Sequence, residues 1–421
     1  MQTTPKAMRL HIALFGRTNV GKSSLLNAVA GQDVAITSPV PGTTTDVVEK
    51  SMELLPLGPV VFLDTAGLGD ETDLGAARME RTRRVLNRAD VVLLVCEPGM
   101  FTQHEDEVIQ QARDRQLPLI IVINKVDLVP PEDVFVKKLQ QKADGVLTCA
   151  ATDAATRENL LNELKLLIGT VVSDDFRHPP PLVGDLLPPG GLAVLIVPID
   201  LQAPKGRLIL PQVQTIRDAL DNDAATLVVK EREYTCMLDR LNHPPDLVIC
   251  DSQVVLKMVA DTPVDIPCTT FSILFARLKG DLQTLAKGAA AIDKLASGDR
   301  VLIAESCSHH ALEDDIGRVK IPRWLRQYTG AALEIESCAG RDFPDTLSDY
   351  KLVIQCGGCM NNRAEMLSRL RRCAEAGVPV TNYGLAISQT QGVLKRALSP
   401  FPAALDAYEK IKNSESRVIR Q

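Results

Sequence analysis

The chain has 421 residues, 45% apolar and 24% charged, so its length implies two or three domains that can each bury a core, and neither a single small module nor a disordered chain fits. Forty-seven Lys and Arg against 53 Asp and Glu leave a net charge of -6, which argues against a protein whose main task is to coat nucleic acid or an anionic membrane. No apolar run approaches the ~18 residues of a membrane span, and the residues before Gly16 lack a signal-peptide core, so a cytoplasmic location is expected and the ten cysteines read as reduced thiols.

Over residues 1–172 apolar runs alternate with helix-competent stretches: His11–Gly16, Val60–Gly67, Asp90–Glu97, Leu119–Lys125 and Gly145–Ala151. This pattern predicts an α/β domain with a mostly parallel sheet. Residues 173–191, with five prolines and three glycines between Asp174 and Gly191, read as a linker. A small second α/β set occupies 192–265, with strands at Leu192–Asp200, Ala225–Glu231 and Pro245–Asp251. A third occupies 266–400, with one long helical run, Phe271–Leu295, and strands at Arg300–Ser306, Ala332–Cys338, Tyr350–Cys356 and Val378–Gly384. Residues 401–421 are expected to be a loosely held tail.

Gly16-Arg17-Thr18-Asn19-Val20-Gly21-Lys22-Ser23 fits GxxxxGK[ST], follows a strand and opens the helical run Lys22–Ala30, which is the context a phosphate loop requires. Backbone N–H groups from Gly16 through Asn19, Val20 and Gly21 to Ser24 can wrap phosphates, Lys22 can reach the β and γ groups, and Ser23 can ligate magnesium. Asp64-Thr65-Ala66-Gly67 ends the next strand, where Asp64 can hold the magnesium shell and the Gly67 N–H can meet the γ-phosphate. Asn124, Lys125 and Asp127 follow the strand Leu119–Ile123; a carboxylate there can accept from the N1–H and amino edge of guanine, which adenine lacks. Cys149, Ala150 and Ala151 occupy the place of a loop closing over the base.

These motifs resemble a small GTPase domain of the TrmE-Era type, and the resemblance implies that Thr43, Thr44 and Thr45 are the switch-one threonines, with Thr44 on magnesium. Leu68 stands where Ras-like enzymes have a water-orienting glutamine, so intrinsic hydrolysis should be slow. Asn19 matches the asparagine that helps hold potassium in the TrmE branch, so potassium-stimulated hydrolysis is expected. Asp70 or Glu71 are weaker candidates for positioning water.

Cysteines crowd the last third. Cys307 follows the strand Arg300–Glu305, and Cys356-Gly357-Gly358-Cys359 follows Tyr350–Gln355, so three thiols can meet at one edge of a parallel sheet. A CxxC between strand and helix fits a redox pair, a zinc pair or an iron-sulfur pair, and the third cysteine favours metal. Cys338 ends a neighbouring strand and is a minority alternative; His309 and His310 lie close to Cys307 in sequence.

A GTPase joined to such a segment resembles the HydF family, which matures iron-iron hydrogenases, and the likeness runs over essentially the whole chain. It implies a 4Fe-4S cluster on Cys307, Cys356 and Cys359, a middle domain that forms a homodimer, and a scaffold that receives a two-iron subcluster made with two radical-SAM enzymes and passes it to the hydrogenase. Gln355 stands where many relatives have a histidine ligand, which leaves His309, His310, Glu313 and Asp314 as candidates for the fourth position. Two other readings compete: an RNA-acting GTPase, against which stand the acidic balance and only 15 aromatic residues (9 Phe, 5 Tyr, 1 Trp), and a regulatory GTPase with structural zinc.

Overall fold

The computed structural model describes residues 5–31, 48–65, 75–172, 180–198, 208–306, 315–340, 343–359 and 361–418. The chain forms two compact units, Met1–Pro179 and Pro180–Gln421.

The first unit holds a six-stranded sheet of β1 (Leu10–Phe15), β2 (Val48–Leu54), β3 (Gly58–Asp64), β4 (Val91–Cys96), β5 (Leu119–Ile123) and β6 (Gly145–Thr148), in the order β2-β3-β1-β4-β5-β6. Every pairing is parallel except β2 with β3. Side chains alternate between the two faces of each strand. Leu10, Ile12 and Leu14 of β1 therefore join the core that contains Leu25 of α1 (Lys22–Ala30), whereas Ala13 and Phe15 join Val85 of α2 (Gly75–Leu86) and Val108 of α3 (Gln103–Asp114). Helices α4 (Asp133–Gln140) and α5 (Arg157–Val171) complete the layers. The strand β2 escapes a sequence reading because only Met52 and Leu54 in it are buried. Its Glu49 instead pairs with Lys6 and Arg88.

The second unit holds two parallel four-stranded sheets. One has the order β10-β9-β7-β8, from β7 (Leu192–Ile196), β8 (Ala225–Val229), β9 (Leu247–Cys250) and β10 (Cys268–Thr270). The other has the order β12-β11-β13-β14, from β11 (Arg300–Ala304), β12 (Glu334–Cys338), β13 (Leu352–Gln355) and β14 (Val380–Asn382). A single cluster of buried apolar side chains runs through both, including Val194, Ile249, Phe275, Ile303, Ile354 and Leu385.

Four sequence expectations are revised here. Strand β10 hydrogen-bonds to β9, so residues 268–270 belong to the middle sheet rather than to the segment beginning at 266. The linker's second half is packed: Leu182, Val183 and Leu187 are buried, and Arg277 binds the carbonyls of Pro181 and Leu182, both at 3.0 Å. The run Phe271–Leu295 breaks into Phe271–Lys279 and Leu282–Ala290 around Gly280, and Asp281 caps the second helix by accepting from the Gln283 and Thr284 N–H groups. The expected tail is instead a helix, Pro402–Val418, that follows buried Phe401 and buries Ala404, Ala407 and Tyr408 at helical spacing.

Candidate functional site

The nucleotide motifs gather at the carboxyl edge of the first sheet, as expected for an open α/β fold. The loop between β1 and α1 needs its glycines. Gly16 has φ +142° and Gly21 φ +95°, and a Cβ would lie 2.3 Å from the Val95 carbonyl oxygen at the first and 2.1 Å from Asn124 Nδ2 at the second. Asn19 is also left-handed, at φ 65°, a conformation asparagine tolerates better than most residues.

Lys22 folds back over this loop, its Nζ donating to the carbonyls of Gly16 (2.6 Å) and Arg17 (2.8 Å). It is buried, and desolvation lowers its pKa, opposed by the charge of Asp64. Asp64, at the end of β3, is itself 4% exposed. Asn124 ties three segments together: its Nδ2 donates to Val20 O (2.9 Å), and its Oδ1 accepts from the Ala151 N–H (3.0 Å) and the Cys149 thiol (3.5 Å). Lys125, left-handed at φ 64°, forms an ion pair with Glu97, and Asp127 stands exposed beyond it.

Gly16 to Ser24, Asp64, Asn124 to Asp127 and Cys149 to Ala151 are thus brought to one edge. Thr43, Thr44, Thr45, Gly67, Leu68, Asp70 and Glu71 lie outside the described residues. One contact had no sequence signal. Arg17 Nε donates to Glu105 Oε1 at 2.8 Å, and Glu105, fully buried, also caps α3 through Thr102, which anchors the phosphate loop to that helix.

The thiol site lies at the carboxyl edge of the third sheet. Strands β11 and β13 pair with Ala304 opposite Gln355, and the Cys356 N–H donates to the Ala304 carbonyl at 2.9 Å. Cys356 therefore sits beside Ser306, the residue before Cys307. The Cys356 sulfur accepts the Ser306 N–H at 3.1 Å, and its thiol donates to Ser306 Oγ at 3.0 Å. Cys356 and Cys359 are both half-buried. Between them Gly358 is left-handed at φ +61°, and a Cβ there would lie 2.6 Å from Met366 Sδ. Cys338 ends β12 on the same edge, opposite Ala304. Gln355 is 1% exposed. Cys307, His309, His310, Glu313 and Asp314 lie outside the described residues, and among the described residues no three His, Cys, Asp or Glu side chains gather to hold a metal ion.

Under this turn lies Lys279, 3% exposed, a helix-ending lysine that no sequence motif marks. Its Nζ donates to the carbonyls of Gly358 (2.7 Å), Asn361 (3.0 Å) and Cys359 (3.4 Å). Burial pulls its ammonium down to about 8, while Cys359, Cys356 and Glu365 act in the opposite direction. Burial pushes the thiols of Cys96 and Cys373, which serve as plain packing, up to about 12, and does the same to Cys149 in the base loop.

A phosphate loop, an aspartate ending β3 and an Asn-Lys-x-Asp run after β5 on a six-stranded sheet define a P-loop GTPase domain, here followed by further α/β structure. Family models bear this out in three pieces: a 50S ribosome-binding GTPase model matches residues 11–125, the hydrogen maturase F dimerization domain matches 182–280, and the hydrogen maturase F tetramerization domain matches 283–400. That architecture is HydF's, and the chain belongs to the family of HydF hydrogenase-maturation GTPases.

Two curated relatives match over the GTPase portion. The tRNA modification GTPase MnmE of a Synechococcus strain is 46% identical over 124 residues, which is 29% of this chain and 27% of the relative. MnmE of Nitrosospira multiformis is 44% identical over 123 residues, 28% of this chain and 27% of that protein. The chain thus spans about a quarter of the length of these relatives. A solved structure, a variant of Aquifex aeolicus Era bound to GDP.AlF4-, is 20% identical with a TM-score of 0.32, covering 55% of this chain and 98% of that one. Among the described residues no helix is long and apolar enough to cross a membrane.

Proposed function

We propose that the chain is a GTP-hydrolysing scaffold of hydrogenase maturation that carries a 4Fe-4S cluster on Cys307, Cys356 and Cys359, and receives and delivers a two-iron subcluster. The observation that carries this reading is the seating of Cys356 beside Ser306, with a backbone N–H on its sulfur, so that Cys307 follows directly. The donor set fits such a cluster: two half-buried thiols on a Gly-Gly turn, a backbone donor to sulfur, and a buried ammonium beneath. When bound, the cluster would supply iron-sulfur chemistry at these thiols, with His309, His310, Glu313, Asp314 or an exchangeable group completing its ligand set. The chain's own residues hold the thiols in place and limit solvent around them.

At the nucleotide edge, Lys22 trades its loop carbonyls for phosphate oxygens, and the N–H groups from Gly16 to Ser24 cradle the same phosphates. Ser23, Thr44 and Asp64 would hold magnesium, which would offset charge on the β and γ groups, and the Gly67 N–H would meet the γ-phosphate. Asp127 accepts from guanine, while Asn124 and the Cys149–Ala151 loop close over the base. With Leu68 in place of a glutamine the intrinsic rate is slow, and Asn19 contributes to a potassium site that raises it. Equal rates in sodium and potassium would sink that last point.

The chain pairs with a second copy in the cytoplasm, takes its cargo with two radical-SAM enzymes and gives it to the iron-iron hydrogenase. The RNA-related roles in the names of the MnmE relatives attach to proteins matched over the GTPase domain alone. Anaerobic reconstitution with iron and sulfide tests the proposal: the wild type should turn brown and give a reduced-cluster EPR signal, and Cys356→Ala should lose the iron. A colourless, zinc-loaded protein would refute it.

A further inference from the structure

Among the described residues the buried ammonium of Lys279 touches no carboxylate, and Glu365 acts on it only through space. Its Nζ is shared by three carbonyls, those of Gly358, Cys359 and Asn361. A fully desolvated ammonium that meets only neutral dipoles is costly unless negative charge lies nearby. The groups whose negative charge acts on it are the two sulfurs of the turn it grips, Cys359 and Cys356, and after them Glu365. The grip is mutual. Arg363, at the start of the helix Arg363–Glu375, donates to the carbonyls of Leu278 (2.7 Å) and Gly280 (3.4 Å) at the end of the helix Phe271–Lys279. One helix end thus reaches up to the thiol turn while the residue beyond the turn reaches back to it.

We propose that Lys279 and Arg363 form a clamp in which Lys279 positions the Cys356–Cys359 turn and supplies the positive charge that an anionic cluster on these thiols requires. The charge arm rests on the cluster reading above; the positioning arm does not. The clamp also joins the two family-matched segments, because Lys279 lies in residues 182–280 and the turn in residues 283–400. The helix it ends starts directly from β10, with Thr270 as its N-cap, so the thiol turn is wired to the middle sheet.

The test uses the full chain with Lys279→Met, Lys279→Arg and Arg363→Gln, and has two arms. In protein free of iron, hydrogen exchange over residues 355–366 should quicken at least tenfold in Lys279→Met and Arg363→Gln, while peptides from β11 and β13 keep their protection. Wild-type exchange rates at the turn in these variants would overturn the clamp. In reconstituted protein, removing a cation disfavours the more negative, reduced cluster. At a fixed potential the reduced-to-oxidised ratio in Lys279→Met should fall about tenfold, equivalent to ~59 mV for one electron. Lys279→Arg should restore most of that ratio, which a merely space-filling role would not do. An unchanged potential in a loaded Lys279→Met protein would overturn the charge role. If Lys279→Met fails to fold, Arg363→Gln carries the exchange arm and Lys279→Gln, which also removes the charge, carries the potential. A wild type that holds no iron but shows the exchange effect would sink the cluster reading and leave the clamp standing.

Discussion

Gly21→Ala places a methyl group where Asn124 Nδ2 lies, since the ideal Cβ falls 2.1 Å from that atom. Asn124 cannot yield without giving up its bond to Val20 O and disturbing those from Ala151 N and the Cys149 thiol. Two good hydrogen bonds lost at about 1 kcal/mol each, plus roughly 1–2 kcal/mol for an alanine at φ +95°, give about 3–4 kcal/mol. Gly99→Ala separates the two contributions, because Gly99 is also left-handed, at φ +71°, with nothing within 4 Å of its would-be Cβ. Titration with a fluorescent GTP analogue should show binding weakened about 30-fold in Gly21→Ala and little changed in Gly99→Ala, since the ~2 kcal/mol of lost hydrogen bonds is a factor of roughly 30. Thermal melting should fall several degrees further in the first variant than in the second. If Gly21→Ala binds within threefold of wild type, Asn124 is not the tie between phosphate loop and base loop.

The remaining expectations concern stability. Tyr408→Phe removes the bond from a buried hydroxyl to Gln389 Oε1 (2.8 Å) and should cost about 1 kcal/mol by denaturant melting, whereas truncation before Phe401 should cost far more by stripping the buried face of the last helix. Arg277→Ala frees the carbonyls of Pro181 and Leu182 and the Asp185 carboxylate, and should speed proteolysis within residues 180–191 severalfold. Burial alone would raise the Glu49 carboxyl, but Arg88 and Lys6 outweigh it and hold the pKa at about 2 against a usual 4.5. A depressed carboxylate adds stability that is full above pH ~4.5 and lost as pH falls towards 2. Up to ~3 kcal/mol of the first unit's acid sensitivity should therefore vanish in Glu49→Gln, read by melting between pH 5 and 2.5.

Much of this architecture was legible in the sequence because its strands are buried on both faces and read as unbroken apolar runs, as in β4 and β13. The phosphate loop was legible because glycines and a lysine at fixed spacing have few other uses. Edge strand β2 was not, since only two of its seven residues are buried, and neither was the last helix, whose apolar spacing is diluted by charges. Strand β10 spans only three residues, and nothing local says which sheet it joins. Lys279 was invisible for a different reason: a lysine ending a helix usually serves the helix dipole in solvent, and only tertiary packing makes it a buried donor. The placement of Cys356 beside Ser306 and its bond to that residue follow from the β11–β13 register, which sequence spacing alone does not determine.

The single core beneath the second unit's two sheets carries a consequence for how this protein could be cut, inherited or engineered. Two matched segments that share one apolar interior form one cooperative folding block, so each would expose its own apolar contact face if expressed alone. The first unit, with its own sheet and cores, is the transferable module. Gene fusions and deletions should respect the boundary near Pro179, and a break at the junction near residue 281 should leave two insoluble halves.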